Sequence, residues 1–422
     1  MDRLEQVRAW GAYAAQVRGR VPERPPPGAV VERDGPLVRT HYGTHGTVGH
    51  PPLTHSGRGE VAELVRRQQE AFGARNEPVE WKAYGADPPV LAEELEAAGF
   101  TADPERSLMA AEFARLARAT DGRVRSVGTG AGVGAFALAG GPHARPLAEV
   151  DADGCAPYGH DGAADTVALL DRGRVTAVGW AGRFADCDFV EIGGLTGPYA
   201  ELVPAFAPLG RKRFLKGREA PYCVAEADGE LRTALTEAGF AELTTVRTYR
   251  WHPGRSPART RPVRETRDTE EGGLWDRLAE EFGFRPSMHR FPGFHEPVPS
   301  VTWSLAALDE EEGALDALDV IAHRALTEVT CPGEPLVWLD WQHTGYVFDP
   351  RRVGGPGEPR WPGAVYPDGD YYLYLHPDLL FGTFGHPWEQ TLCVWGAGLL
   401  AAVEGELTGL LGEPLRRRDT PG

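Results

Sequence analysis

Hydrophobic and polar positions along the chain fall into a unit that occurs twice before residue 252. The first copy runs from Pro78 to Gly85, then Leu91 to Phe100, then Ser107 to Phe113; the second runs from Pro221 to Ala227, then Leu231 to Phe240, then Leu243 to Trp251. In each copy, two short runs with strand character flank a segment whose apolar residues stand four and three apart. These are Leu91, Leu95 and Ala98 in one copy and Leu231, Leu235 and Ala238 in the other. Such spacing lines one helical face, so each copy predicts strand, helix, strand. Gly99 and Gly239 are placed to end the helices in the left-handed conformation, with Phe100 and Phe240 burying a ring under the last turn. The glycines are 140 residues apart (239 minus 99), which is duplication on the scale of a domain.

Around these copies the pattern is also readable. Val7, Trp10, Tyr13, Ala14 and Val17 keep helical spacing between Met1 and Arg20, and Pro22 to Pro27 breaks the chain. Asp34-Gly35 and Asp171-Arg172-Gly173 each separate two strand-like runs, predicting hairpins. A helix is expected over Val61 to Phe72, and a strand over Phe189 to Thr196. His41, His45, His50 and His55 are interrupted by glycines and prolines, so no regular face presents them together. Gly130 to Ala135 spells a glycine-rich dinucleotide fingerprint, but Gly140-Gly141-Pro142 stops the following run before a helix can form to meet a pyrophosphate. His252 to Asp268, rich in proline and arginine, reads as an extended linker.

The paired Leu-x-x-x-Gly-Phe ends resemble those of the GNAT superfamily of acyl-CoA-dependent N-acyltransferases, over roughly the first 250 residues. The resemblance implies tandem GNAT-like halves and, in the second half, an acetyl-CoA site along Gly194, Leu195, Thr196 and Gly197 with Arg211 as a nearby cation. It also implies a small-molecule amine acceptor, with Glu191 as base and Tyr249 as the replacement for the family's acidic tyrosine, whose position is held by Leu235. Glu191 has a competing reading as a salt-bridged strand carboxylate, and Tyr249 as a packed strand residue. Active members carry an Arg/Gln-x-x-Gly-x-Gly/Ala loop after this strand. Here Gly197-Pro198-Tyr199-Ala200-Glu201 and Pro204 follow instead, removing two amide donors and adding a negative charge where phosphates would lie.

Beyond the linker, aromatic and titratable residues crowd together. The strings Phe284-Arg285-Pro286-Ser287, Asp340-Trp341-Gln342-His343, Pro367 to Tyr372 and Phe384 to Gln390 resemble, in order, those of an uncharacterised bacterial family, a domain of unknown function. Leu315, Leu318, Ala322, Ala325, Leu326 and Val329 predict a helix, and Leu336 to His343 a strand. Asp340 with His343 and His386 with Glu389 are candidate catalytic or metal-holding pairs that a sheet could bring together. Strand alternation argues against metal, because it sends His343 to the face opposite Asp340, and no metal site is assigned. The alternative is a rigid, hydrogen-bonded pocket walled by Trp338, Trp341, Tyr346 and Trp388.

Composition narrows the partners. A net charge of −17, from 44 basic and 61 acidic residues, disfavours nucleic acid and anionic membranes and suits a cationic substrate. Five cysteines stand singly, as reduced thiols do in a cytoplasmic protein, and no run of eighteen apolar residues spans a membrane. The expected fold class is α/β and α+β: GNAT-like mixed-sheet domains over 1–118 and 119–252, a linker over 253–269, and a small α+β domain over 270–422. The expected function is acyl transfer from acyl-CoA to an amine. The alternative is a degenerate, non-catalytic GNAT scaffold whose C-terminal domain binds a ligand or partner.

Overall fold

The computed structural model describes the chain except residues 23–24, 55, 117–123, 128–164, 172–173, 184–186, 212–220, 257, 259, 307, 309–312 and 420–422. The glycine-rich segment Gly130 to Ala135, His55, Cys155, Lys212 and Arg213 therefore lie outside the described residues. The chain divides into two compact units, Met1–Thr260 and Arg261–Gly422. The fold is α/β with mixed strand directions in the first and α+β with an antiparallel sheet in the second.

The first unit opens with α1 (Arg3–Gln16), whose N-terminus is closed by a reciprocal pair: Asp2 accepts from the Glu5 amide at 2.8 Å, and Glu5 accepts from the Asp2 amide at 2.7 Å. Strands β1 (Val30–Asp34), β2 (Leu37–His41) and β3 (Gly46–Gly49) follow, with the expected turn at Asp34-Gly35 joining the first two. Next come α2 (Arg58–Ala74), β4 (Val79–Tyr84), α3 (Pro89–Ala97), β5 (Thr101–Ala102) and β6 (Arg106–Glu112). The second half supplies β7 (Val124–Val127), β8 (Asp165–Asp171), β9 (Arg174–Arg183) and β10 (Phe189–Thr196). A single turn, α4 (Tyr199–Leu202), runs into a 3-10 stretch over Val203–Arg211, and β11 (Tyr222–Ala227), α5 (Gly229–Glu237) and β12 (Ala241–Trp251) complete the unit.

The duplicated unit is present in both places. Gly99 and Gly239 take φ of +82° and +96°, and the amides of Phe100 and Phe240 return to the carbonyls of Leu95 and Leu235 at 3.0 and 2.9 Å. Leu91, Leu95 and Leu235 are fully buried, each contributing about 2 kcal/mol of apolar burial.

The two halves are not separate domains divided at residue 118. Their strands form one sheet in the order β1-β2-β3-β4-β12-β6-β11-β10-β9-β8-β7, with β5 beside β12. The last strand of each half has crossed to the other: β12 pairs with β4, and β6 pairs with β11. The exchange leaves a pseudo-twofold between β12 and β6, which relates the parallel pair β3–β4 to the parallel pair β10–β11. Local pattern predicts each strand but not its neighbours: β6 is buried on both faces, as a central strand is, whereas β12 is buried only at Val246 and Tyr249.

Side-chain alternation defines the layers. Leu108, Ala110, Phe189, Val224 and Val246 face α1 through Tyr13. On the opposite face Val79, Trp81 and Tyr249 pack with α2 and α3, while Met109, Ala111, Val190, Ile192, Cys223 and Ala225 pack with α4 and α5.

In the second unit, β13 (Val263–Glu265) pairs with β16, and α6 (Asp268–Glu281) begins three residues later, so part of the expected 253–269 linker is built into the fold. The other elements are β14 (Ser300–Ser304), α7 (Ala314–Val329), β15 (Leu336–Asp340), β16 (Tyr346–Phe348), β17 (Tyr372–Leu375), β18 (Gly382–His386), β19 (Thr391–Trp395), α8 (Ala397–Leu411) and β20 (Arg416–Arg418). The sheet order is β13-β16-β15-β17-β18-β19-β14-β20. Helices α7 and α8 cover one face, over Trp303, Trp338, Tyr374 and Val394; α6 and the aromatic segment around Phe284 and Phe294 cover the other, over Leu339, Leu373 and Phe384. The inward stripe of α7 uses Ile321 rather than Leu315, which is exposed.

Candidate functional site

Three groups of titratable residues stand out, one in the first unit and two in the second. In the first unit, both parallel pairs are joined over only three residue pairs. Strand β3 meets β4 from Gly46↔Val79 to Val48↔Trp81, and β10 meets β11 from Phe189↔Tyr222 to Glu191↔Val224. Beyond those positions the paired strands part.

At the β3–β4 junction buried polar side chains surround a small cavity. Buried His50 reaches the Lys82 carbonyl through Nε2 at 3.0 Å, and Arg18 donates to Asp87 at 2.5 Å with both side chains inaccessible. The Arg18 guanidinium lies 4.3 Å from the centre of the Tyr84 ring. Burial, its largest cause, lowers the His50 pKa. His41 and His45 are likewise accounted for, by Glu77 at 2.6 Å and Thr44 at 3.0 Å, as expected of strand and turn histidines.

At the β10–β11 junction, β10 bulges between Gly193 and Thr196, with Gly194 at φ +58° and Gly197 at φ +94°. Leu195 turns its side chain into the core, so only its backbone is available to a ligand. Thr196 pairs with Val178, and a side chain at position 197 would collide with the Thr176 carbonyl. Arg211 ends the 3-10 stretch. Glu191 is buried on the α1 face and lines a cavity of about 90 Å³ whose other walls come from α1, the segment after it and β2–β4, among them Tyr13, Arg18, Val48, His50 and Lys82. Lys82 is ion-paired with Glu226 at 2.5 Å. Burial, then the neighbouring Tyr84 and Glu191, raise the Tyr13 pKa and keep its phenol protonated.

Tyr249 is not part of this group. It lies on the opposite face of the sheet, among Leu95 and Phe100, with its hydroxyl 3.5 Å from Glu96. Three strand spacings, roughly 14 Å, separate β12 from β10. The phenol near Glu191 is instead Tyr13, which the sequence pattern marks only as one more residue on the apolar face of the first helix.

In the second unit the sheet separates the two candidate pairs. His386 faces Tyr371 and Phe384, on the α6 side; Asp340 shares the other face with Trp338 and Tyr372. His386 is fully buried, accepts from the Glu389 amide at Nδ1 (3.0 Å), and keeps a buried Nε2 without a partner among the described residues. Burial pushes its pKa down to about 4. The Glu389 carboxylate turns away to Arg416, at 2.6 and 3.0 Å, and Arg416 also holds buried Glu296 at 2.8 Å. His386 and Glu389 therefore do not form a side-chain acid–base pair.

Asp340 and His343 do meet. The strand ends at Asp340 rather than running to His343; Gln342 takes φ +68°, and the His343 amide returns to the Asp340 carbonyl at 3.1 Å. This turn removes the alternation that would have sent His343 away. Its Nδ1 lies 3.1 Å from Asp340 Oδ1 and 3.8 Å from Asp370 Oδ2. The hydrogen bond to Asp340 is the main cause of a raised His343 pKa, and burial is the main cause for Asp370. Asp340, Gln342 and His343 line an open cavity of about 860 Å³ with Trp275, Trp338 and Tyr346. Asp370 is the residue that sequence reasoning missed: it sits just after the Asp368-Gly369 turn, a signal that marks a loop and not a site.

No helix among the described residues is long and apolar enough to cross a membrane. Cys187, Cys223 and Cys393 are buried thiols and Cys331 is an exposed one; burial pushes Cys393 up to about 12.

Comparison with solved structures finds a GCN5-related N-acetyltransferase from Kribbella flavida, 17% identical, covering 59% of this chain and 96% of that one with a TM-score of 0.40. A tandem GNAT protein from the clavulanic acid biosynthesis pathway, solved without AcCoA, is 12% identical, covering 60% and 95% with a TM-score of 0.34. Among curated proteins, the uncharacterized protein YxiI of Bacillus subtilis (strain 168) is 34% identical over 110 residues, 26% of this chain and 68% of that protein. Residues 265–400 match the family described as protein of unknown function, DUF2716, and through them this chain belongs to that family.

Proposed function

We propose that the first unit is a GNAT-like N-acyltransferase that moves an acyl group from acyl-CoA, acetyl-CoA in the simplest case, to a small-molecule amine. The observation that carries this reading is the parting of β10 from β11 after Glu191, beside a glycine-rich bulge. In this reading the gap takes the pantetheine arm, and the backbone of Gly194 to Gly197 faces it. Glu191 removes a proton from the amine, whose nitrogen attacks the thioester carbon. Collapse of the tetrahedral intermediate forms the amide and expels the thiolate, which takes a proton from the Tyr13 phenol.

Calorimetric titration of the full chain with acetyl-CoA tests the cofactor, and thiol release in the presence of a panel of amines tests the reaction. Glu191→Gln is expected to keep acetyl-CoA binding while lowering turnover by about 10²–10⁴-fold. Failure of the native chain to bind acetyl-CoA overturns the proposal.

A second reading, a non-catalytic scaffold with the second unit as its ligand-binding part, has its own support. Only one helical turn follows β10 before a 3-10 stretch containing Pro208, and at the related β3–β4 junction buried His50 is bound to the Lys82 carbonyl. The same titration separates the two.

A further inference from the structure

We propose that Asp340, His343 and Asp370 bind a divalent transition-metal cation at the wall of the second unit's cavity. One ligand atom from each of the three residues lies within 4.8 Å of the others. The separations from His343 Nδ1, 3.1 and 3.8 Å, bracket the roughly 3.4 Å between neighbouring ligands of a tetrahedral ion bonded at about 2.1 Å. Small side-chain rotations close the set, because His343 stands on an exposed turn while Asp340 is fixed at a strand end.

Charge supplies the second argument. Asp340 and Asp370 are mostly shielded from solvent, with side chains 14% and 18% exposed, yet among the described residues neither has a lysine or arginine within ion-pair distance. The carboxylates on the other side of this sheet, Glu296 and Glu389, share Arg416. The Asp340 pair has only an imidazole, and a dication placed among the three compensates both carboxylates. It takes the position of the proton between Nδ1 and Asp340, which is released to solvent.

The cavity is the third. Asp340 and His343 form part of its wall, so a metal held there keeps coordination positions open toward a space lined by Trp275, Trp338 and Tyr346. One imidazole and two carboxylates with open positions suit Zn²⁺ or Mn²⁺ over Ca²⁺, which prefers six to eight oxygens. The cation would anchor an oxygen-bearing ligand whose apolar part rests on the aromatic rings.

The test is calorimetric titration of the chelator-treated full chain with ZnCl₂ and, separately, MnCl₂. One saturable site per chain is expected for Zn²⁺, weakened at least about tenfold in His343→Ala and in Asp370→Asn. His343→Ala removes an exposed side chain and leaves the fold intact by circular dichroism, so loss of binding there reports the ligand. Absence of saturable binding by either metal, or an affinity unchanged within about twofold in both variants, overturns the proposal.

Discussion

The second unit holds two histidine–carboxylate groups on opposite faces of one sheet, and they have opposite constitutions. Around His386, every carboxylate has an internal cation: Arg416 crosses from β20 to grip Glu389 with two nitrogens and Glu296 with a third, and Thr302 and Thr391 donate to the same carboxylates at 2.8 and 2.9 Å. Around His343, two carboxylates have only the imidazole, and Asp340 and His343 open onto a cavity. The difference teaches that the identity of the residues does not mark a site. What separates the two groups is whether the protein has already placed a cation of its own on the carboxylates, since a satisfied network rigidifies a fold and carboxylates without an internal cation keep a charge for a ligand to compensate.

The strongest way to break the comparison is to remove the internal cation. Arg416→Ala strands Glu296 and Glu389, whose side chains are 6% and 15% exposed, and is expected to destabilise the chain by roughly 3–5 kcal/mol. Urea unfolding followed by tryptophan fluorescence measures it. A loss below about 1 kcal/mol would show that the Arg416 network is as dispensable as a surface pair.

How much of this was legible beforehand differs between the fold and the sites, for physical reasons. Gly99 and Gly239 could be placed because a left-handed residue leaves a chemical signature, the missing side chain, in the sequence itself. The exchange of β6 and β12 left no such signature: which strand a buried segment pairs with depends on residues more than a hundred positions away. Glu191 was visible as a carboxylate in an apolar strand, but Tyr13 was hidden, because a tyrosine on an apolar helical face is identical in pattern to a core residue. The Asp340–His343 meeting was misjudged by extending a strand three residues too far, since a turn at Gln342 carries no glycine to announce it.

A somewhat smaller effect separates the two histidines by pH. Burial lowers the folded-state pKa of His386 to about 4, below the ordinary value of 6.5, so the folded chain binds fewer protons there than the unfolded chain. Its contribution is complete above pH 6.5 and declines as pH falls toward 4. Between pH 7.5 and 5 this amounts to about 2 kcal/mol. The urea midpoint should fall over that interval, and His386→Gln, although less stable at neutral pH, should show a shallower fall. An equal slope in the two proteins would remove His386 as the source.

The smallest expected effect sharpens the comparison most. His343 is 65% exposed and its bond to Asp340 faces solvent, so in metal-free buffer His343→Ala should lower the urea midpoint far less than Arg416→Ala does. Adding saturating ZnCl₂ should then raise the melting temperature of the native chain but not of the variant, because a ligand stabilises only the folded state that binds it. Differential scanning calorimetry of both proteins, with and without Zn²⁺, reads that rise. A variant whose urea midpoint falls as far as that of Arg416→Ala without metal would place His343 with His386, as a structural residue, and would take from the Asp340 cluster the openness that distinguishes it.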